Sequence, residues 1–128
     1  MENRNKVEFI KEMMERTKKA AINTILLTRR FEKKKDLQVI VHQIVKSATS
    51  VGANYRAASR AISEKSLYSK MKIVEEEADE TVFWYEILEE IYPKFATEYG
   101  ALKNEYQEFV KIFSKTNYTL RKKFKKNG

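Results

Sequence analysis

Apolar side chains recur along this chain at alternating spacings of three and four, the mark of helices that each bury one stripe. The cleanest stretch is Leu37, Ile40, Ile44, Ala48, Val51, Tyr55, Ala58 and Ile62. It predicts a helix over 37–62, roughly 39 Å long at about 1.5 Å per residue, with Asp36 as its N-cap. A third-helix stripe follows in Leu67, Met71, Val74, Ala78, Thr81, Tyr85, Leu88 and Tyr92, with Ser63 to cap its start and Pro93 to end it. The last helix reads Phe95, Tyr99, Leu102, Tyr106, Phe109, Phe113 and Leu120 and runs into a lysine-rich tail over about 121–128. The first is less regular, with Val7, Ile10, Met14, Ala21, Ile25 and Phe31, and the charged stretch 29–36 holds the first loop. Four such helices bury their stripes most simply as one all-α domain over 1–128, an antiparallel up-down-up-down four-helix bundle.

Some apolar residues lie off these seams. Ile73, Phe83, Trp84, Ile87 and Ile91 form a second line on the third helix, and Phe9, Met13, Ile22 and Leu27 a similar set on the first. A second apolar face meets another subunit in many small proteins. An oligomer interface is therefore expected at Phe9, Met13, Leu27, Ile73, Phe83, Trp84, Ile87 and Ile91. Within the second helix, Gly52 sits in the small tract Ser47-Ala48-Thr49-Ser50-Val51-Gly52-Ala53. A helical glycine costs about 1 kcal/mol against alanine, which close approach by a neighbouring backbone would explain.

Composition narrows the function more by exclusion than by signature. The 128 residues contain three glycines, one proline and no cysteine, so turns are few and thiolate chemistry is absent. The lack of cysteine suits a reducing cytoplasm, and no apolar run is long enough to span a membrane. His42 is the only histidine. It lies beside the second seam and reads as a boundary residue, and one histidine cannot supply the paired Glu-x-x-His motifs of a di-iron bundle. Glycine-rich phosphate loops and nucleophile motifs are missing. No catalytic residue, cofactor site or metal site is expected. The run containing Glu76, Glu77 and Glu80 admits a hard-cation reading but reads better as a solvated or salt-bridged face.

Charge brings in the partner class. Lysine and arginine outnumber acids by 26 to 18, a net charge of +8, and from Lys111 onward there are seven bases and no acid. In an up-down-up-down bundle the N-terminus, the second loop and the C-terminus share one end. That end would carry Arg4 and Lys6 with Arg56, Arg60, Lys65, Lys70, Lys72, Arg121, Lys122, Lys123, Lys125 and Lys126. Such a pole suits the phosphate backbone of RNA or DNA, and no base-reading motif accompanies it. A protein-interaction scaffold using the same surface is the alternative.

Two segments carry a specific resemblance. Lys46, Ser47, Ser50, Val51, Gly52, Ala53 and Asn54 in QIVKSATSVGANYRAASRA, followed by Lys70, Glu77–Thr81 (with Asp79 inside it) and Trp84 in SKMKIVEEEADETVFWYEILEE, resemble the 23S rRNA intervening-sequence proteins, also described as S23 ribosomal protein-like. The resemblance implies a bacterial four-helix bundle that assembles as a ring-like homopentamer and carries no catalytic residues. A relative, the accessory variability protein of diversity-generating retroelements, is a basic pentamer that binds reverse transcriptase and nucleic acid. The shared motif is expected to serve packing, with Lys46 or Lys70 paired to Glu77 or Glu80 across the second and third helices.

Overall fold

A computed structural model describes residues 2–127, with side chains over 5–125. It contains four long helices, α1 (Glu2–Arg29), α2 (Gln38–Ala58), α3 (Glu64–Ile91) and α4 (Ala96–Asn127), and among the described residues no strand. Short 3-10 turns at Lys35–Leu37 and Pro93–Phe95 precede α2 and α4. The fold is all-α and accords with a four-helix bundle. Among the described residues no helix is long and apolar enough to cross a membrane.

The seams of α2, α3 and α4 bury most of the residues their spacing singles out, with Ile40, Leu67, Tyr92 and Leu102 half-buried. Ile44, Ala48, Val51, Val74, Ala78, Tyr85, Leu88, Tyr99, Tyr106 and Phe109 have no exposed surface. Each large side chain so buried contributes about 1.5–3 kcal/mol of transfer free energy. Tyr106 and Phe109 meet edge to face, and Phe109 stacks on Phe113.

Helix α1 departs from the expected stripe. Val7 is 65% exposed, whereas Met13, Thr17, Ala20, Thr24, Leu27 and Thr28 are buried, with Phe31 just beyond the helix. Threonine is tolerated there because each hydroxyl has a partner. Thr17 donates to the Met13 carbonyl at 2.8 Å and Thr28 to that of Thr24 at 3.0 Å, while Thr24 bonds the Tyr85 hydroxyl.

Helix boundaries follow local hydrogen bonding. Helix α2 stops at Ala58, four residues short of the expected end, as Arg60 and Ala61 donate to the Ala57 and Ala58 carbonyls in tighter three-residue turns. Ile62 is thereby left 99% exposed outside any helix. Ser63 then takes an extended conformation, and its hydroxyl accepts from the Ser66 amide at 3.1 Å, the predicted cap of α3. Asp36 lies inside the 3-10 turn instead of capping α2. The Gln38 amide takes over that joint, donating to the Phe31 and Lys34 carbonyls.

Cross-helix pairs locate the ends. Around the first and third connections Phe31, Tyr92, Phe95 and Tyr99 cluster, with the Arg30 guanidinium 4.3 Å from the Phe95 ring centroid and bonded to Glu98. Farther along, Arg16 of α1 bridges Glu105 at 2.6 Å and Glu108 at 3.3 Å on α4, and Lys103 of α4 bonds Glu89 of α3 at 2.7 Å. At the opposite end Tyr55 stacks on Phe113, Tyr68 packs against Phe124, and Lys123 lies 3.4 Å from Glu64.

Candidate functional site

Besides Arg4 and Lys6 of α1, the basic residues singled out from the sequence come from three stretches of chain: the end of α2 and its loop, the start of α3, and the end of α4. Contacts between Tyr68 and Phe124 and between Glu64 and Lys123 bring the last two stretches together. A shared cleft lined by Lys6, Tyr55, Ser59, Leu67, Phe113 and Thr116 ties in the first. Arg56, Arg60, Lys65, Lys72, Arg121, Lys122, Lys123 and Lys125 are exposed at this end, and Lys70 is half-buried. Arg4 and Lys126 lie outside the described side chains. The residues after Leu120 continue α4 to Asn127, so the cations of the tail are carried on a helix.

Several cations sit against aromatic rings. The Lys72 ammonium lies 5.7 Å from the Tyr68 ring centroid, and Lys122 and Arg121 lie 4.6 and 6.0 Å from that of Tyr118. Tyr118 is itself 52% exposed. It falls between Phe113 and Leu120 but off their seam, so apolar spacing gives no reason to single it out. Its signal in the sequence is an aromatic inside the basic run Lys115 to Lys125.

The α2–α3 motif has a different character. Ser47 and Thr81 are both fully buried and their hydroxyls lie 2.9 Å apart, joining the two helices. Ser47 is 3.2 Å from the Ile44 carbonyl, to which it donates, leaving its oxygen free to accept from Thr81. Burial raises the Glu77 carboxyl above the usual carboxylate range, with Glu80 adding to the rise, while Lys46 and a hydrogen bond from Ser50 oppose it. Of the expected pairings, Lys46 with Glu77 is thus an electrostatic neighbour across the seam. The Glu80 carboxylate accepts from the Trp84 indole at 3.2 Å. Among the described residues no three His, Asp or Glu side chains are grouped to hold a metal ion, which leaves the Glu76, Glu77 and Glu80 cation reading without its geometry. His42 is exposed.

Gly52 faces the backbone of α1. A Cβ there would lie 3.5 Å from the Thr17 carbonyl oxygen and 3.6 Å from its Oγ1, so the expected close approach is present but leaves room for a methyl group.

The expected oligomer surface divides. Met13 and Leu27 are core residues, 1% and 6% exposed; the α1 seam is rotated by its threonines, and both side chains point inward. Phe9, Ile73, Phe83 and Ile91 are exposed, with Trp84 and Ile87 half-buried. Ile22, in the same set on the first helix, is exposed as well, and Leu26 and Val39 add exposed apolar surface outside both sets. Phe83 and Trp84 meet edge to face at 4.9 Å.

The described tyrosines are poor acids where they are buried. Desolvation pushes the Tyr55 and Tyr99 hydroxyls up to about 12 and raises those of Tyr85 and Tyr106 further. All four hydroxyls stay protonated near neutral pH, because burial penalises the phenolate.

None of the curated proteins matches the chain. Among solved structures it is similar to a protein of unknown function from the S23 ribosomal protein family of Bacteroides thetaiotaomicron, with 27% identity and a TM-score of 0.75. That alignment covers 81% of this chain and 96% of the other. The family model for the 23S rRNA-intervening sequence protein matches residues 11–115, which contain both motif segments. Those residues extend from α1 into α4, and the chain belongs to the 23S rRNA-intervening sequence protein family.

Proposed function

We propose that this protein is a non-catalytic, oligomeric bundle that binds the backbone of RNA or DNA through its basic end. The observation that carries the reading is the meeting of exposed cations from α2, α3 and α4 at one end, where Lys123 and Glu64 form a partly exposed ion pair. Cations so grouped release condensed counterions from phosphates, and binding of that kind weakens steeply with salt. In the proposed arrangement the helices run up-down-up-down. The pairings of Arg30 with Glu98 and Arg16 with Glu105 support an antiparallel α1 and α4, since the partner number rises as the α1 number falls.

Copies assemble into a ring of five in this reading, as the resemblance to the 23S rRNA intervening-sequence family implies. Support in this chain comes from the apolar residues left outward on α1 and α3, Phe9, Ile22, Leu26, Ile73, Phe83 and Ile91. A ring with its basic ends on one side would concentrate positive charge there.

Light scattering with and without a mixed cellular RNA pool, at about 50 and 200 mM salt, tests the proposal. The expected result is a mass near five subunits that rises with RNA at low salt and returns at high salt. Replacing Arg121, Lys122, Lys123 and Lys125 with alanine is expected to weaken RNA binding at least ~10-fold, and the log–log salt slope should shrink by about 0.7–0.9 for each phosphate no longer neutralised. A protein whose mass ignores RNA, or whose affinity is unchanged by the four substitutions, is not a backbone binder at this end; the surface is then better read as a protein-interaction scaffold.

A further inference from the structure

Near the basic end, a pocket of about 230 Å³ opens between α3 and α4. Its cationic side chains are Lys72 and Arg121, its aromatic ones Tyr68 and Tyr118, and its hydrogen-bonding groups include Glu75 and Asn117. The volume is below the roughly 300–1,000 Å³ of a drug-sized site and fits one small planar group.

Two observations separate this pocket from the surrounding charged surface. Tyr118 is 52% exposed although it lies within reach of the Arg121 and Lys122 head groups. A half-exposed ring with cations beside it is the arrangement on which unpaired bases stack while their phosphates meet positive charge. Asn117, only 7% exposed, is the second. Its Nδ2 donates to the Met71 carbonyl at 3.0 Å and to Glu75 Oε1 at 2.8 Å. Both partners are acceptors, so the amide orientation is fixed, and Oδ1 is a buried acceptor without a partner among the described residues. The amide thereby fixes the half-buried Glu75 carboxylate at the pocket, an acceptor for N–H donors such as the exocyclic amino groups of nucleobases.

We infer that this pocket takes an unpaired nucleotide, its base stacked on Tyr118 and its phosphate held by Lys72 and Arg121. The inference rests on the backbone-binding reading and adds to it a preference for single strands. A paired base is already stacked within its duplex and cannot present its face to Tyr118, whereas a duplex satisfies the cations as well as a single strand does.

The test is fluorescence anisotropy with a labelled single strand of about 12 nucleotides and a duplex of the same sequence, titrated with the full chain over a range of salt. The expected result is tighter single-strand binding. Tyr118→Ala is expected to lower single-strand affinity at least ~5-fold, the low end of one base–aromatic stack. Duplex affinity and the salt slope should be unchanged, and Tyr118→Phe, which keeps the stacking face, should hold within about 2-fold of the parent. Circular dichroism melting of each variant checks that this exposed substitution leaves the fold intact. Equal single-strand affinity for parent and Tyr118→Ala overturns the nucleotide site and leaves backbone binding standing if both probes still bind in a salt-dependent way. Absence of binding to either probe overturns both.

Discussion

Thr24 and Tyr85 share a hydrogen bond inside the core, linking α1 to α3. Thr24→Val keeps the shape of the side chain and removes the hydroxyl, so Tyr85 keeps a buried O–H with no partner from α1. A destabilisation of about 1–3 kcal/mol is expected. Adding Tyr85→Phe removes the stranded group and should recover much of that loss. Denaturant unfolding followed by circular dichroism reads both variants, and a double mutant no more stable than Thr24→Val would show that the bond is not the source of the effect. These threonines also show where a sequence reading of the core reaches its limit. Hydropathy counts Thr17, Thr24 and Thr28 as polar, so the α1 seam looks ragged and spacing favours Val7, Ile10 and Met14. Only the carbonyl one turn back, or a tyrosine from another helix, makes a threonine a core residue, and neither is visible in local spacing. Thr81 is legible because buried apolar neighbours on α3 stand on both sides of it at seam spacing.

Among the elements, α2 best separates what spacing encodes from what it does not. Its seam from Leu37 to Ala58 is fully legible, but Ile62 continues the rhythm past the point where the backbone turns. Periodicity registers side-chain type alone; the end is set by the tightened turn after Ala58 and by the Ser63 cap of the next helix. Gly52 is legible as a site of close approach, whereas the available space is not. With a Cβ meeting Thr17 at ordinary van der Waals distance, Gly52→Ala is expected to leave the helix packing unchanged and to stabilise the fold by up to about 1 kcal/mol through helix propensity. Thermal unfolding checks the sign, and a lower midpoint would mean that α1 must yield to admit the methyl. The longer, branched Gly52→Leu is expected to push α1 away and destabilise.

For the molecule as a whole, apolar side chains stay exposed along α3, and others, Phe9 and Tyr118 among them, lie at the basic end. The exposed line on α3 includes Phe83 and Ile91, at 50% and 52%. If that line is where subunits meet, Phe83→Glu with Ile91→Glu should lower the mass seen by light scattering toward one subunit while helix content is kept, since neither residue belongs to the fully buried core. An unchanged mass would move the subunit boundary elsewhere. The line is legible on α3, where aromatic and β-branched residues crowd beside an already complete seam. On α1 the same reasoning wrongly draws in Met13 and Leu27, because threonines hide the true seam. Connectivity predicts the grouping of the cations at one end, and the Tyr68–Phe124 and Glu64–Lys123 contacts bring its α3 and α4 parts together. Tyr118 is not legible in that way, since spacing does not record its exposure beside Arg121 and Lys122.

The unbroken course of α4 to Asn127 also bears on entropy. A disordered basic tail gives up roughly 1–2 kcal/mol of backbone freedom for each residue it fixes on a partner. Along α4 that loss has already been met in folding, and Tyr68 against Phe124 anchors the last turns. Arg121 and Lys125, four residues apart, lie on one side of a stiff rod with a set rise between them. Under the proposed function, a phosphate backbone at this end would therefore meet a template of charges rather than a cloud of them.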